Sequence, residues 1–507
     1  MGLSKKESSM KKRIAIIGGG ISGLSAAWHA KQLGMDVELF ESGPKLGGVL
    51  GTIQWDGRLI EGAADNFATL DAEAIRWCRA MGMEEEFIPP EAENRRAMVL
   101  FRGKPVPIPG GFSLVQPTRI LPVLTTPLLS IAGKARLLWE YFVPARKDQA
   151  DECLHDFAVR RLGKEAFERL VEPIVGGIFT ADPKRLSMQA TLPQFVAMEK
   201  EHGGLIRGWL AQKRSKGERG KGSKREIEQQ ASGARYAQFL APKKGMAWWI
   251  DAIESKLTDV RFHLNCPIHS IHRLAKRNSI QSTELNEGSV AAGGEGWTLE
   301  IANGSKCDFD GIILATPASV SARLLSSVTS ESSEQLTKFR AASSVVVAMI
   351  LDRKEIQKMA WCFGIVVPEI ENRPVLAISF SSLKYPGRVH QDEILVRIFM
   401  GGSLKPELLL LEDRDLLQIA AGELQAVIGF HGQPRWSKVI RWNAAMPQYD
   451  VGHPQRVESL EASLAREAPS IRLAGASYKG VGIPQCVRSG RKAAEALAGY
   501  FGYQAVV

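Results

Sequence analysis

The 507-residue chain has no uninterrupted apolar run near the ~18 residues that a membrane-spanning helix requires. The nearest approach, Ile120–Ile131, is broken by Pro122 and Pro127. A crossing is therefore excluded, while a peripheral position on a membrane stays open. The first strand pattern begins at Arg13 after a short polar segment, so no secretory leader is expected. Lys6 stands where a myristoylation signal needs Ser or Thr. The six cysteines include no C-x-x-C pair, so reduced thiols and a cytoplasmic location are expected. The nine histidines include no H-x-x-x-H and no mixed Cys/His set, so no metal is expected. No nucleic-acid motif accompanies the net charge of +10, so no nucleic-acid partner is expected. The charge fits an anionic membrane surface or an acidic small molecule.

What is present describes a globular chain, 45% hydrophobic and 24% charged, with a mean hydropathy of −0.10. Its length implies two or three domains. Much of the basic charge lies in Lys213–Arg235, a polar Gly/Ser-rich stretch that reads as a solvated loop.

The most informative segment is residues 13–41. Arg13–Ile17 is an apolar, β-branched strand pattern. Gly18, Gly20 and Gly23 then form G-x-G-x-x-G at the start of a helical pattern. In such a turn the first glycine allows the tight bend and the second lets backbone approach a pyrophosphate. The third permits close helix packing. A second strand, Val37–Phe40, ends at Glu41, whose carboxylate can accept hydrogen bonds from a ribose. Gly47 and Gly48 follow the acid by six and seven residues. A nicotinamide dinucleotide needs no such second pair, whereas FAD, whose ribityl chain folds back beside the first helix, does. The expected cofactor is FAD.

Beyond residue 90, strand and turn patterns occupy 95–105, and helical spacing runs through Lys134–Phe142 and Leu154–Val171. A helix near Gly245–Leu257 precedes a strand pattern at Val260–Ile271. Thr298–Ile301 and Gly311–Leu314 read as late strands returning to the first sheet. Ser344–Leu351, Val375–Phe380 and Ile394–Met400 suggest a separate antiparallel sheet. Ile471–Leu473 and an Ala-rich helix close the chain.

Five further segments carry a family resemblance: EPIVGGIFTADP from Glu172, GIILATPASVSARLL from Gly311, CFGIVVPE from Cys362, WNAAMPQYDVGH from Trp442 and LAGASYKGVGIPQCV from Leu473. Together they resemble the oxygen-dependent protoporphyrinogen/coproporphyrinogen oxidase family, a branch of the amine-oxidase-like flavoproteins. The resemblance implies an α/β architecture. It comprises a Rossmann-like FAD-binding domain, an antiparallel-sheet substrate domain and a helical subdomain suited to membrane docking. The implied division is FAD-binding parts at 11–92, 206–320 and 441–507, a helical subdomain at 93–205, and a substrate domain at 321–440. The implied activity is six-electron oxidation of protoporphyrinogen IX or coproporphyrinogen III in haem biosynthesis, with dioxygen as acceptor and hydrogen peroxide as product. No catalytic side chain beyond the flavin is expected.

By the same resemblance Gly18, Gly20, Gly23, Glu41, Gly47, Gly48, Asp65, Ile268, Trp442, Gly475, Val481, Gly482 and Ile483 hold FAD. Gly176, Gly177, Val366 and Tyr385 line the substrate cavity, with Tyr385 at its rim. Arg96, or Arg95 beside it, is the nearest match to a propionate-binding arginine. His453 reads as a structural turn residue. Two departures from the family pattern stand out: Ala63-Ala64-Asp65 replaces a Gly-Pro pair before the acidic or amide position, and the last motif lacks the usual Ala, Leu and Arg. The expected partners are a porphyrinogen, dioxygen, an anionic membrane surface contacted by the Leu-rich run after Gln116, and a second copy in a homodimer. An amine-oxidase or desaturase relative, and a flavin- or porphyrin-binding protein without turnover, are the alternatives.

Overall fold

The structure is a computed structural model that describes residues 11–148, 150–219, 239–274, 296–359 and 361–503. Most of the basic stretch 213–235 lies outside the described residues; its first part continues the helix Leu205–Arg219.

Apolar, β-branched runs collect first into a five-stranded sheet. Its order is Arg261–His263, Asp36–Phe40, Arg13–Ile17, Gly311–Leu314, Ile471–Leu473, and every neighbouring pair is parallel. Strands buried on both faces need such continuous apolar character. Ile14, Ile16 and Leu39 are fully buried accordingly. The helix Ile21–Gln32 leaves the first strand and packs on the last helix, Ile483–Tyr500. Gly490 makes that crossing close: a Cβ there would lie 2.1 Å from the Ser22 carbonyl oxygen.

The single strand read at Val260–Ile271 is two. Arg261–His263 edges the parallel sheet, and Pro267 precedes a second strand, Ile268–Arg273. That strand joins Trp297–Ile301 and Lys306–Phe309 in a three-stranded antiparallel sheet. So of the two late strands only Gly311–Leu314 completes the first sheet. Alternation in Trp297–Ile301 suits a sheet with one covered face, and a central strand of the parallel sheet would need it covered on both.

A second, seven-stranded sheet has the order Trp436–Pro447, Ala341–Asp352, Glu393–Gly401, Val375–Phe380, Gly364–Val366, Ala97–Phe101, Lys104–Pro107. The three runs expected to be antiparallel neighbours are so, Ala341–Asp352 and Val375–Phe380 each pairing with Glu393–Gly401. Only the Gly364–Val366 pairing with Ala97–Phe101 is parallel. The hairpin Ala97–Pro107 therefore extends this sheet, and Trp436–Pro447 runs across the boundary expected at residue 440.

Packed against the seven-stranded sheet is a helical lobe built on Ile120–Thr125, Ile131–Leu138, Leu154–Leu162, Glu172–Phe179, Pro193–His202 and Leu205–Arg219. The long helix read at Leu154–Val171 is interrupted at Gly163, where φ is +94°, and continues as a wide turn over Phe167–Val171. A buried ion pair, Arg161–Glu140, centres the lobe. The Glu140 carboxylate also accepts the N–H groups of Leu205 and Ile206 at 2.7 and 3.0 Å, which starts the helix there.

Candidate functional site

The five parallel strands end on one edge of the first sheet, and the loops after four of them, Arg13–Ile17, Asp36–Phe40, Gly311–Leu314 and Ile471–Leu473, meet there. Gly18 N–H donates to the Phe40 carbonyl at 2.8 Å, Ala315 N–H to Ile17, and Ala474 N–H to Leu314. Ligands of open parallel sheets bind outside this carboxyl edge. The fingerprint glycines divide by task. Gly18 has φ +107° with Ala315 against it, and Gly23 packs on the Gly18 carbonyl, so a Cβ at either would clash. A Cβ at Gly20 would meet nothing within 4 Å, which leaves that backbone open to a ligand. The helix behind it has no side-chain cap and no acid in its first turn, so its N–H groups and positive dipole end are available to phosphate.

Glu41 is brought to the same turn. Its two carboxylate oxygens accept the N–H groups of Gly19 and Gly43, each at 2.7 Å. The oxygen that binds Gly43 also accepts Ser42 Oγ–H at 3.2 Å, and the one that binds Gly19 keeps a lone-pair site for a ribose hydroxyl. The second glycine pair lies alongside: Gly47 N–H donates to Gly19 at 2.8 Å, and both Gly47 and Gly48 have positive φ, +104° and +60°. Gly475 follows the fourth strand end with φ +124°. Beyond it, Gly482 caps the helix Ile483–Tyr500, again without a side-chain cap or a first-turn acid. Val481 packs against the helical lobe. Ile268 has its side chain buried in the apolar cluster that contains Ile17 and Phe40.

A second constellation joins the seven-stranded sheet to residues 61–66, the segment that follows the hairpin Thr52–Trp55/Arg58–Glu61. Trp442 Nε1 donates to the Gly62 carbonyl at 2.9 Å. Arg397, in the middle of Glu393–Gly401 and 2% exposed, donates to Ser381 Oγ at 2.9 Å and to the Glu61 and Ala63 carbonyls at 3.3 and 2.5 Å. It also pairs with Asp65 at 2.5 Å. Lys384 approaches the same carboxylate at 3.4 Å and Asn66 Nδ2 at 2.7 Å. Burial pushes the Asp65 carboxyl up, but Arg397 and Lys384 outweigh it and hold the group well below the ordinary carboxylate range. Burial lowers Lys384 in turn. Asp65 thus turns its carboxylate into this cluster, and it is the main chain of 61–64 that this clamp holds in place.

The third group gathers the residues expected to face substrate. A Cβ at Gly177 would lie 3.6 Å from Val366 Cγ1, so the two meet across the gap between helix Glu172–Phe179 and the seven-stranded sheet. Gly176 lines a small cavity there with Glu172, Thr180 and Val367. Burial raises the Glu172 carboxyl to about 7, although the Glu369 N–H binds one of its oxygens. Tyr385 corrects the expectation of a rim position. It is 1% exposed, because the short turn Ser381–Lys384 folds it inward beside Arg388, whose guanidinium lies 5.8 Å from the ring. Arg96 is exposed and Arg95 half-buried, donating to the Pro90 carbonyl at 3.1 Å. The Arg96 backbone carbonyl accepts from Phe363, which places it beside the segment from Cys362.

Arg397, Lys384 and Arg388 escaped the sequence reading. The available signal was a lone arginine inside the apolar run ILVRIF, which a doubly buried strand tolerates only when the charge is paired.

Strand ends converging on an open glycine turn, a second glycine pair and two uncapped helix starts define a dinucleotide-binding flavoprotein. The chain belongs to the flavin containing amine oxidoreductase family, whose family model matches residues 21–498. FAD is its cofactor. The chain is similar to coproporphyrinogen III oxidase of Bacillus subtilis, 30% identical with 96% of this chain and 98% of the relative covered. The enzyme of the same name from Staphylococcus aureus is 29% identical, with 96% and 99% covered. A crystal structure of a candidate protoporphyrinogen oxidase from Exiguobacterium sp. 255-15 superposes with a TM-score of 0.80 at 26% identity, covering 97% of this chain and 99% of that one.

Proposed function

We propose that the chain oxidises a porphyrinogen of haem biosynthesis to the porphyrin, with coproporphyrinogen III as substrate and dioxygen as electron acceptor. The single observation that carries this reading is end-to-end similarity to the coproporphyrinogen III oxidases. Gly18, Gly20, Gly23 and Glu41 hold the ADP half of FAD, and Gly47 and Gly48 meet its ribityl chain. Trp442, the 61–65 backbone, Gly475, Val481, Gly482 and Ile483 hold its flavin half. Bound FAD supplies two-electron oxidation, so a six-electron product takes three turnovers and three dioxygen molecules, which leave as hydrogen peroxide. The chain's own residues contribute shape and charge. Gly176 and Gly177 remove side chains from one wall so that a flat macrocycle can approach, and Val366 supplies apolar contact opposite. Arg96, exposed beside the segment from Cys362, takes a propionate.

The helical lobe rests on an anionic membrane. Leu121, Ile131, Trp139 and Phe142 are 71, 88, 60 and 62% exposed, and Ile120 and Leu124 extend the patch. Beside them the helix Leu205–Arg219 carries Arg207 over the Tyr141 ring and Lys213 over Trp209. No helix among the described residues is long and apolar enough to cross a membrane.

The test is dioxygen uptake with porphyrin fluorescence, using fully flavin-loaded protein and coproporphyrinogen III and protoporphyrinogen IX side by side. Three dioxygen molecules should disappear per porphyrin formed, faster with the tetracarboxylate. Oxidation of neither substrate would refute the reading. Flotation with anionic liposomes tests the membrane position, and absence of co-migration at low salt would remove it.

A further inference from the structure

The segment MPQYDVGH does more than turn the chain. Tyr449 is 2% exposed and lies flat on His453, ring centroids 4.0 Å apart and planes 17° apart. Its hydroxyl donates to the Ala476 carbonyl and accepts the Gly480 N–H at 2.7 Å. One oxygen thus ties two backbone points four residues apart in the loop Gly475–Gly482. Neither the Ala476 carbonyl nor the Gly480 N–H has a backbone partner among the described residues. The loop needs such a tie, since Gly475 and Gly480 have φ of +124° and +119° and no regular structure fixes them. His453 holds the tyrosine in place. Its Nε2–H donates to the Tyr478 carbonyl at 2.8 Å, and Phe339 packs edge-on against the imidazole. Burial lowers His453 to about 4, so the ring is neutral and can stack without a charge.

This loop runs from the fourth strand end to the uncapped start of Ile483–Tyr500. We propose that Tyr449, steadied by His453, is a positioning residue for FAD: its hydroxyl sets the backbone of Gly475–Gly482 in the shape that meets the cofactor. The proposal rests on the assignment of Gly475, Val481, Gly482 and Ile483 to FAD. Tyr449 itself is buried behind the loop and acts through it.

Tyr449→Phe keeps the ring and its stacking and removes only the hydroxyl. FAD titration of the apoprotein, followed by flavin fluorescence, should show an affinity about 5- to 10-fold weaker, as expected for two backbone groups losing their partner. The visible absorption band and midpoint potential of the bound flavin should shift. The melting temperature of the apoprotein should fall slightly, and the increase produced by FAD should shrink as well. Wild-type FAD affinity, spectrum and potential in this variant would overturn the proposal. So would a fall in apoprotein stability with FAD affinity unchanged, since that marks a purely structural hydroxyl. If Tyr449→Phe does not fold, His453→Gln removes the stacked ring and should weaken FAD in the same assay; unchanged affinity would overturn the proposal. Gly475→Val separates the premise from the inference. Weakened FAD binding there with none in Tyr449→Phe refutes the tyrosine alone, and unchanged binding removes the loop from the cofactor site.

Discussion

Replacing Arg397 by Met tests whether the clamp between the seven-stranded sheet and residues 61–65 is a paired buried charge or dispensable packing. The guanidinium reaches five groups: Ser381 Oγ, the Glu61 and Ala63 carbonyls, the Asp65 carboxylate and, through its field, Glu61. Met fills similar volume and leaves the two carbonyls unpartnered. Asp65 would keep Lys384 at 3.4 Å, Asn66 and the field of Arg388. Removing one partner of a buried ion pair costs about 3–5 kcal/mol, chiefly because the other charge stays uncompensated. Arg397→Lys keeps the charge but loses the fork that spans the acceptors, at about 1.5–3 kcal/mol. The sign with pH follows from Asp65. Its folded carboxyl is held below its unfolded value, so its contribution is present above the unfolded value and is lost as pH falls through the folded one. In Arg397→Met that depression shrinks, and acid unfolding should begin at higher pH than in the wild type. Urea titrations followed by flavin release and by far-ultraviolet circular dichroism, repeated down an acid series, read both effects. Flavin should leave first, because Glu61 to Ala63 is the segment set free. A midpoint within about 0.5 kcal/mol of wild type, the range for a change away from such features, would refute the argument.

Glu41→Ala removes the carboxylate that the Gly19 and Gly43 amides orient; FAD affinity should fall about 10- to 100-fold by fluorescence titration. Gly20→Val and Gly23→Val should separate binding from folding. The first has open space and should yield a stable apoprotein that takes up little FAD, whereas the second meets the Gly18 carbonyl at 1.9 Å and should lower the melting temperature of the apoprotein itself. Glu172 carries a raised carboxyl, about 7, so the wild type loses stability as pH rises from its unfolded value to about 7. Glu172→Gln lacks this loss and should gain up to roughly 3 kcal/mol over wild type at pH 8 relative to pH 4.5, read as the difference in melting temperature.

Much of the nucleotide site was legible because local chemistry dictates it. The order strand, glycine turn, helix, strand and acid is contiguous, and each glycine does a job its own neighbourhood explains. The three antiparallel strands were legible from the pattern and spacing of their strand-like runs, although all three are buried along most of their length. What stayed hidden depends on contacts across hundreds of residues. Asp65 and Lys384 look like solvated charges in their own segments and become buried only when residues 61–66 meet the seven-stranded sheet around Arg397. Tyr385 precedes a proline and reads as an exposed turn, yet it faces inward because Arg388 and Asn66 form its surroundings. The strand Ala97–Phe101 gives no sign of which sheet it will join, since its parallel neighbour lies at residues 364–366.

The parallel sheet has a consequence for biogenesis. Its central strand is made first and its edge strand Ile471–Leu473 almost last, and the helix that packs on Ile21–Gln32 is later still. At about 5–20 residues per second, roughly 20–90 s separate the synthesis of Ile17 from that of Ile471. Throughout that interval the nascent chain carries an unpaired, apolar β edge and a half-built cradle. Flavin loading is therefore a post-translational event, and a product truncated before the last helix should emerge colourless and dependent on chaperones.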